Sequence, residues 1–291
     1  MDKVDVHVHV LTRLSDEFPR QVSGLAPADR EGTAEQLLQE MDANGIDRAV
    51  LIDMGGTALE HHKYVTHCVR TWPDRFTATG LIDLGAPDPP ARLRELVDAT
   101  GIEGIRLGSL GNPDAASVEE LDTCPLLQTV DELGLNINIY GGGNNLPILE
   151  MVAPAFPGIS FSLDHLGIMP TTRFTPDSWN RPRFADEPLP PDNYPRILAL
   201  ARHQNIYIKI SGEYAFSKVP WPFGDMKEMV QQIHQAYGAA RMMWCTDFPW
   251  IVPEPTYAKL VELPRHHLPD ISDEDREMLM GGTALKIWFR R

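Results

Sequence analysis

The stretch VDVHVHV, residues 4–10, alternates aliphatic and polar positions without a break. A period of two predicts a β-strand with Val4, Val6, Val8 and Val10 on one face and Asp5, His7 and His9 on the other. Two imidazoles at i and i+2 on one strand face can grip a single metal ion or a substrate oxygen, or can sit in a core satisfied by hydrogen bonds. The other strands decide between these readings.

Seven further strand-like runs follow: DRAVLID (47–53), FTATGLID (76–83), IEGIRLG (102–108), LNINIYG (135–141), GISFSLDHLG (158–167), NIYIKISG (205–212) and RMMWCTDFPW (241–250). Segments of helical period separate most of them. The first is TAEQLLQEMDANG (33–45), with Thr33 as N-cap and Gly45 at its C-terminal end. Strands alternating with helices predict parallel β/α units. Eight of them within 291 residues predict an α/β fold, a (β/α)8 TIM barrel, as one domain over 1–291. No Gly-x-Gly-x-x-Gly follows an early strand, which argues against an open dinucleotide-binding sheet. Three long segments follow strands, at 10–32, 166–193 and 211–224. In a barrel such loops lie on the catalytic face and act as lids or binding loops.

The chain is 43% hydrophobic and 23% charged, with a net charge of −15. Clustered Lys and Arg are absent, which excludes a nucleic-acid surface. No apolar run approaches a membrane span. The three cysteines, Cys68, Cys124 and Cys245, are scattered and predict a reducing compartment. The chain passes from Met-Asp-Lys straight into the first strand, so a cytoplasmic location is expected. The global field opposes an anionic substrate, so local cations must hold one.

If the aliphatic face of each strand looks outward to the helices, the other face looks into the barrel. The inward set is then His7 and His9; Gly104 and Arg106; Asn136, Asn138 and Tyr140; His165, opposite Asp164; Tyr207, Lys209 and Ser211; and Met243, Cys245 and Asp247. Polar groups at six strand ends would be costly to bury without partners, which favours a catalytic site. Cys245 reads as small packing beside Asp247. His61, His62 and His67 have no ligand-like spacing and read as surface residues.

These residues resemble the amidohydrolase superfamily, in particular the amidohydrolase-related branch that holds pyrone and sugar-acid lactonases and some aromatic-acid decarboxylases. The resemblance is carried by DVHVH (5–9), GIRL (104–107), SLDHLG (162–167), NIYIKISG (205–212), CTDFPW (245–250) and GGTALKIWF (281–289). Metal-dependent members carry a His at the end of strand five, where this chain has Tyr140. Binuclear members carry a Lys on strand four, where it has Arg106. The site therefore looks most like that of the metal-independent dicarboxylate lactonases. The resemblance implies a hydrolase that opens a small carboxylated lactone with an Asp-activated water. The alternatives are a metal-dependent decarboxylase and a lactone isomerase. A homodimer is among the states that barrels of this branch adopt.

The expected roles follow. Asp247 is the base, with a pKa raised by enclosure. His7, His9 and His165 polarise the carbonyl. Arg106 binds a substrate carboxylate, with Tyr140, Lys209 and Ser211 as further substrate contacts. Lys209 has a competing reading as a buried ion pair with Asp5. Two cofactor states stay open: one divalent ion, zinc or manganese, held by His7, His9 and Asp247 with His165 as a fourth ligand, or catalysis without metal.

Overall fold

The computed structural model describes residues 1–290; Arg291, the last residue of the expected 1–291 domain, lies outside the described residues. Eight parallel strands form the barrel, in the order β1 (Val4–Val8), β2 (Arg48–Ile52), β3 (Phe76–Leu81), β4 (Gly104–Leu107), β5 (Asn136–Ile139), β6 (Phe161–Leu163), β9 (Ile206–Ile210) and β10 (Met242–Trp244). The strand that would be seventh is numbered β9 because the loop after β6 carries a small antiparallel hairpin, β7 (Thr175–Pro176) and β8 (Pro182–Arg183). Helices lie between the barrel strands. The first, α1 (Ala34–Asn44), is capped by Thr33 through a capping box and ends at left-handed Gly45, as its sequence predicts.

The alternation holds on most strands. Ile105 and Leu107 of β4, Ile137 and Ile139 of β5, and Ile206, Ile208 and Ile210 of β9 pack in the outer core against the helices. Their neighbours Arg106, Asn138 and Lys209 turn inward. Arg106, Asn138 and Ser162 stand side by side on β4, β5 and β6 in direct register.

Strand β1 departs from the expected pattern. Its pairing with β2 shifts register between Asp5 and Val8, the mark of a β-bulge. Below the bulge Val4 and Val6 face inward, and with Val50, Ile52, Met243 and Cys245 they form an inner cluster. Above it Val8 and Val10 pack outward, while His7 and His9 face in. Asp5 therefore points away from the barrel interior, toward the outer helix α9 (Tyr257–His267), where it accepts a hydrogen bond from Tyr257. The extra residue changes the phase of alternation midway along the strand.

The floor of the barrel is closed by α11 (Thr283–Trp288), whose Ala284, Ile287 and Trp288 complete the inner cluster. Gly104 makes room for the indole: a Cβ there would meet the Trp288 ring at 2.9 Å. Among the described residues no helix is long and apolar enough to cross a membrane. All three cysteines are free and buried.

Because Trp288 is fully buried beneath the site, Trp288→Ala should cost about 3–5 kcal/mol of unfolding free energy. Denaturant titration checks this. A loss below about 1 kcal/mol would mean that α11 does not seal the barrel floor.

Candidate active site

The C-terminal ends of the barrel strands meet around one buried carboxylate, Asp164, which follows β6 and is 1% exposed. Lys209 Nζ of β9 lies 3.1 Å from its Oδ1, His7 Nδ1 lies 3.2 Å from the same oxygen, and Arg106 Nε of β4 lies 3.3 Å from Oδ2. Burial pushes the Asp164 carboxyl up, but Lys209, His7 and Arg106 outweigh it and hold it well below the usual range. Lys209 thus pairs with Asp164, and not with Asp5 as one sequence reading had it. This commits its ammonium to the barrel interior.

Asp164 and His165 were expected on opposite faces. Both reach the site. His165 takes a left-handed backbone, φ 52°, in the short 3-10 turn His165–Gly167, and this returns its ring to the cluster 4.9 Å from that of His7. Its Nδ1 lies 3.0 Å from Ser211 Oγ, so Ser211 orients the imidazole. Gly212 is required beside it: its φ is +76°, and a Cβ there would come within 2.7 Å of His165 Nδ1.

The hydrogen-bond partners set the imidazole tautomers. His9 Nδ1 faces the carbonyl of Ile52 at 2.8 Å, so it carries the proton. His7 Nδ1 faces the ionised Asp164 at 3.2 Å and the Lys209 ammonium at 3.4 Å; the nearer carboxylate assigns it a proton likewise. Both Nε2 lone pairs then point at each other, 3.2 Å apart. Asp247 Oδ1 lies 3.2 Å from His9 Nε2 and 3.6 Å from His7 Nε2, and has no hydrogen-bond partner. Three acceptors converging this closely call for a shared proton or a cation. That donor set fits a divalent ion, and one atom each of His7, His165 and Asp247 lies within 4.8 Å of the others.

Asp247 does not have the raised pKa expected of it. Burial pushes the carboxyl up, but the charge of a proton held on His165, His9 or His7 more than offsets this and holds it well below the ordinary range. His7, His9 and His165 were expected beside Asp247, but the expected shift weighed only the enclosure of the carboxyl. His7 and His165 are themselves pushed down from the usual imidazole range, chiefly by burial. The other Asp247 oxygen accepts a 2.7 Å bond from Tyr214 on the short helix α7 (Glu213–Phe216). Tyr214 was not anticipated, because nothing in GEYAF announces a one-turn helix over the barrel mouth.

On the far side Arg106 stacks on Tyr140, its guanidinium carbon 4.9 Å from the ring centroid, and Tyr140 meets the His165 ring edge-on at 5.2 Å. Only Nε of Arg106 is engaged, by Asp164; the guanidinium tip has no partner among the described residues. Cys245 packs in the inner cluster below, as expected. His62 is not a surface residue: it is fully buried and accepts from the Leu81 amide at 3.0 Å, with Asp53 Oδ2 3.2 Å away.

The long loops close over this arrangement. Trp250 lies 6.3 Å from the His9 ring, and Arg30 of the first loop stacks on Trp250 at 4.2 Å while bonding the carbonyl of Asn180. Arg181 of the β7–β8 hairpin pairs with Asp177, bonds the Glu254 carbonyl and lies 5.7 Å over the Tyr214 ring. Arg20 points at no ligand space; its guanidinium holds carbonyls of its own loop, including those of Ala26 and Pro27.

The chain matches the amidohydrolase family model over residues 4–290. It is 24% identical over 269 residues to D-galactarolactone isomerase of Agrobacterium fabrum, covering 90% of this chain and 83% of that one. A probable 2-pyrone-4,6-dicarboxylic acid hydrolase of Acinetobacter baumannii, solved with citric acid bound, superposes with a TM-score of 0.72 at 17% identity, covering 99% and 100% of the two chains. An amidohydrolase of Burkholderia multivorans, solved with zinc bound, superposes with a TM-score of 0.73 at 18% identity over 99% of each chain.

Glu213 adds a further buried carboxyl, 2% exposed, with Oε1 unpartnered. Burial, with a further push from Asp247, raises its pKa from 4.5 to about 7. A raised carboxyl favours the folded state below pH 4.5, and that contribution is lost as pH rises through about 7. Glu213→Gln should therefore flatten the fall in stability between pH 5 and pH 8 by up to about 3 kcal/mol. Denaturant curves at the two pH values test this; an unchanged difference would place an ionised Glu213 in the folded protein.

Proposed function

This chain belongs to the amidohydrolase family, and on that premise we propose that it is a lactonase that opens a small carboxylated lactone. The observation that carries the reading is a pair of groups flanking the Tyr140 and His165 rings. On one side Asp247 Oδ1 stands free of hydrogen-bond donors beside the His7 and His9 Nε2 atoms. On the other, the uncommitted tip of Arg106 lies over Tyr140. A lactone whose carboxylate rests on Arg106 presents its ring carbonyl toward the histidines.

In this mechanism Arg106 binds the carboxylate and Tyr140 orients the ring. Asp247 is ionised at neutral pH, and its free Oδ1 accepts a proton from water as the water oxygen attacks the carbonyl carbon. Tyr214 fixes the carboxylate by occupying Oδ2. Without a metal, the proton shared at the Nε2 atoms of the imidazole cluster donates to the oxyanion. When the tetrahedral adduct collapses, the ring C–O bond breaks and the leaving oxygen takes the proton back from Asp247. The product is an open-chain hydroxy acid. A divalent ion, zinc or manganese, would be held by His7, His9, His165 and Asp247, and when bound it supplies Lewis-acid polarisation of the carbonyl. Both cofactor states draw on the same residues.

Decarboxylation is the weaker alternative. In members that carry it out, a strand-five histidine supports the metal, and here that position is Tyr140, packed on Arg106. Lactone isomerisation would draw on the same Arg106 and Asp247 without consuming water, and the Agrobacterium fabrum relative is named for such a reaction. Turnover in 18O-labelled water separates the two outcomes: hydrolysis places label in the product, and isomerisation does not.

Asp247→Asn should lower kcat at least about 1000-fold on the best lactone of a carboxylated panel, with substrate binding preserved. Substantial turnover by that variant would remove Asp247 as the base. Arg106→Ala should raise KM about 10- to 100-fold for carboxylated lactones and leave neutral ones within about threefold. Equal effects on both would remove its anion role.

A further inference from the structure

The first and last barrel strands do not share a continuous ladder. Their seam is one isolated bridge, Val8 to Phe248, with Asp247 N donating to His7 O at 2.9 Å and His9 N to Phe248 O at 2.7 Å. Just below, where the bulge turns Asp5 outward, its fully buried carboxylate spans the gap. Oδ1 accepts from Thr246 N at 3.0 Å and from His7 N at 3.4 Å; Oδ2 accepts from Thr246 Oγ1 at 2.6 Å and from Tyr257 OH at 2.9 Å. Thr246 Oγ1 in turn accepts from Phe248 N at 3.1 Å.

The residue that Thr246 delivers is Asp247, and its backbone is left-handed at φ 67°. A non-glycine residue keeps that conformation only where its surroundings over-determine it. Here the residues on either side are both tied to the Asp5 carboxylate, one directly and one through the Thr246 hydroxyl. The same carboxylate touches the His7 amide, so one side chain references both halves of the His–Asp cluster to a common point.

We infer that Asp5 is a positioning residue: through Thr246 and Tyr257 it clamps the barrel seam and holds Asp247 in the left-handed backbone that aims its carboxylate at His7 and His9. Asp5 touches neither substrate space nor the reacting atoms, and it acts only through the residues it holds.

The test uses the intact protein with Thr246→Val, which removes the bridging hydroxyl at nearly constant volume, and Thr246→Ser, which restores it. In crystal structures Thr246→Val should show Asp247 Oδ1 displaced from His9 Nε2 by about 1 Å or more, and Thr246→Ser should not. This arm needs no substrate. The kinetic arm rests on the lactonase reading: Thr246→Val should lower kcat about 10- to 100-fold with KM within about threefold, and Thr246→Ser should recover most of it. If Thr246→Val does not fold, Tyr257→Phe removes the other donor from the outer helix and should produce a smaller displacement and a smaller loss of kcat in the same direction. An Asp247 that stays in place in the folded variants overturns the inference, as does a loss carried in KM. Absence of lactone turnover in the unmodified protein counts against the lactonase reading alone, because the crystallographic arm still decides the clamp.

Discussion

The site depends on one interaction: the buried Asp164 carboxylate with Lys209, Arg106 and His7 gathered on it. An isolated carboxylate at that depth would be strongly disfavoured, and losing one partner of such a group typically costs about 3–5 kcal/mol. Four strands, β1, β4, β6 and β9, therefore cannot shift independently. The shared anion sets the rotation of the His7 ring and hence which nitrogen faces the pocket. It holds Arg106 by Nε, which leaves the tip turned outward. It also explains a lysine with no exposure directly beneath the site.

Strain collects where this network meets the strand ends. His165 and Leu166 after β6 and Asp247 after β10 all adopt left-handed backbones, at φ 52°, 61° and 67°. None is glycine, and all are buried. Left-handed backbone turns the chain sharply, so two residues that strict alternation would send to opposite faces, Asp164 and His165, both reach the pocket. The bulge in β1 does comparable work on the other side of the cluster. Catalytic geometry in this barrel comes from departures from strand regularity that the surrounding packing enforces.

Those departures also mark what could be read from the sequence. Where the two-residue period is unbroken, on β4, β5 and β9, the inward placement of Arg106, Asn138 and Lys209 follows from alternation alone. His7, His9, His165 and Asp247 were legible as strand-end groups and do converge. Asp5 was not placed correctly, because one extra residue in β1 reverses its face and nothing in VDVHVHV marks the bulge. Asp164 was set aside as the face opposite His165, because a left-handed histidine is not visible in SLDHLG. Tyr214 lies on a one-turn helix too short to have a periodicity. The electrostatics of Asp247 were inverted for a different reason: the three imidazoles were placed beside it, but enclosure alone was weighed, and the protons they carry act in the opposite direction.

Asp164 fixes the proton of His7 on Nδ1 and so leaves Nε2 as a lone pair facing Asp247. Nitrogen-15 NMR of the imidazoles in the intact protein at neutral pH measures this directly, with assignment through a His7→Gln control. The expected result is a His7 signal pair with protonated Nδ1, and with Nε2 unprotonated or metal-bound. A neutral His7 carrying its proton on Nε2 would show that Lys209, 3.4 Å from Nδ1, controls the ring and that Asp164 does not.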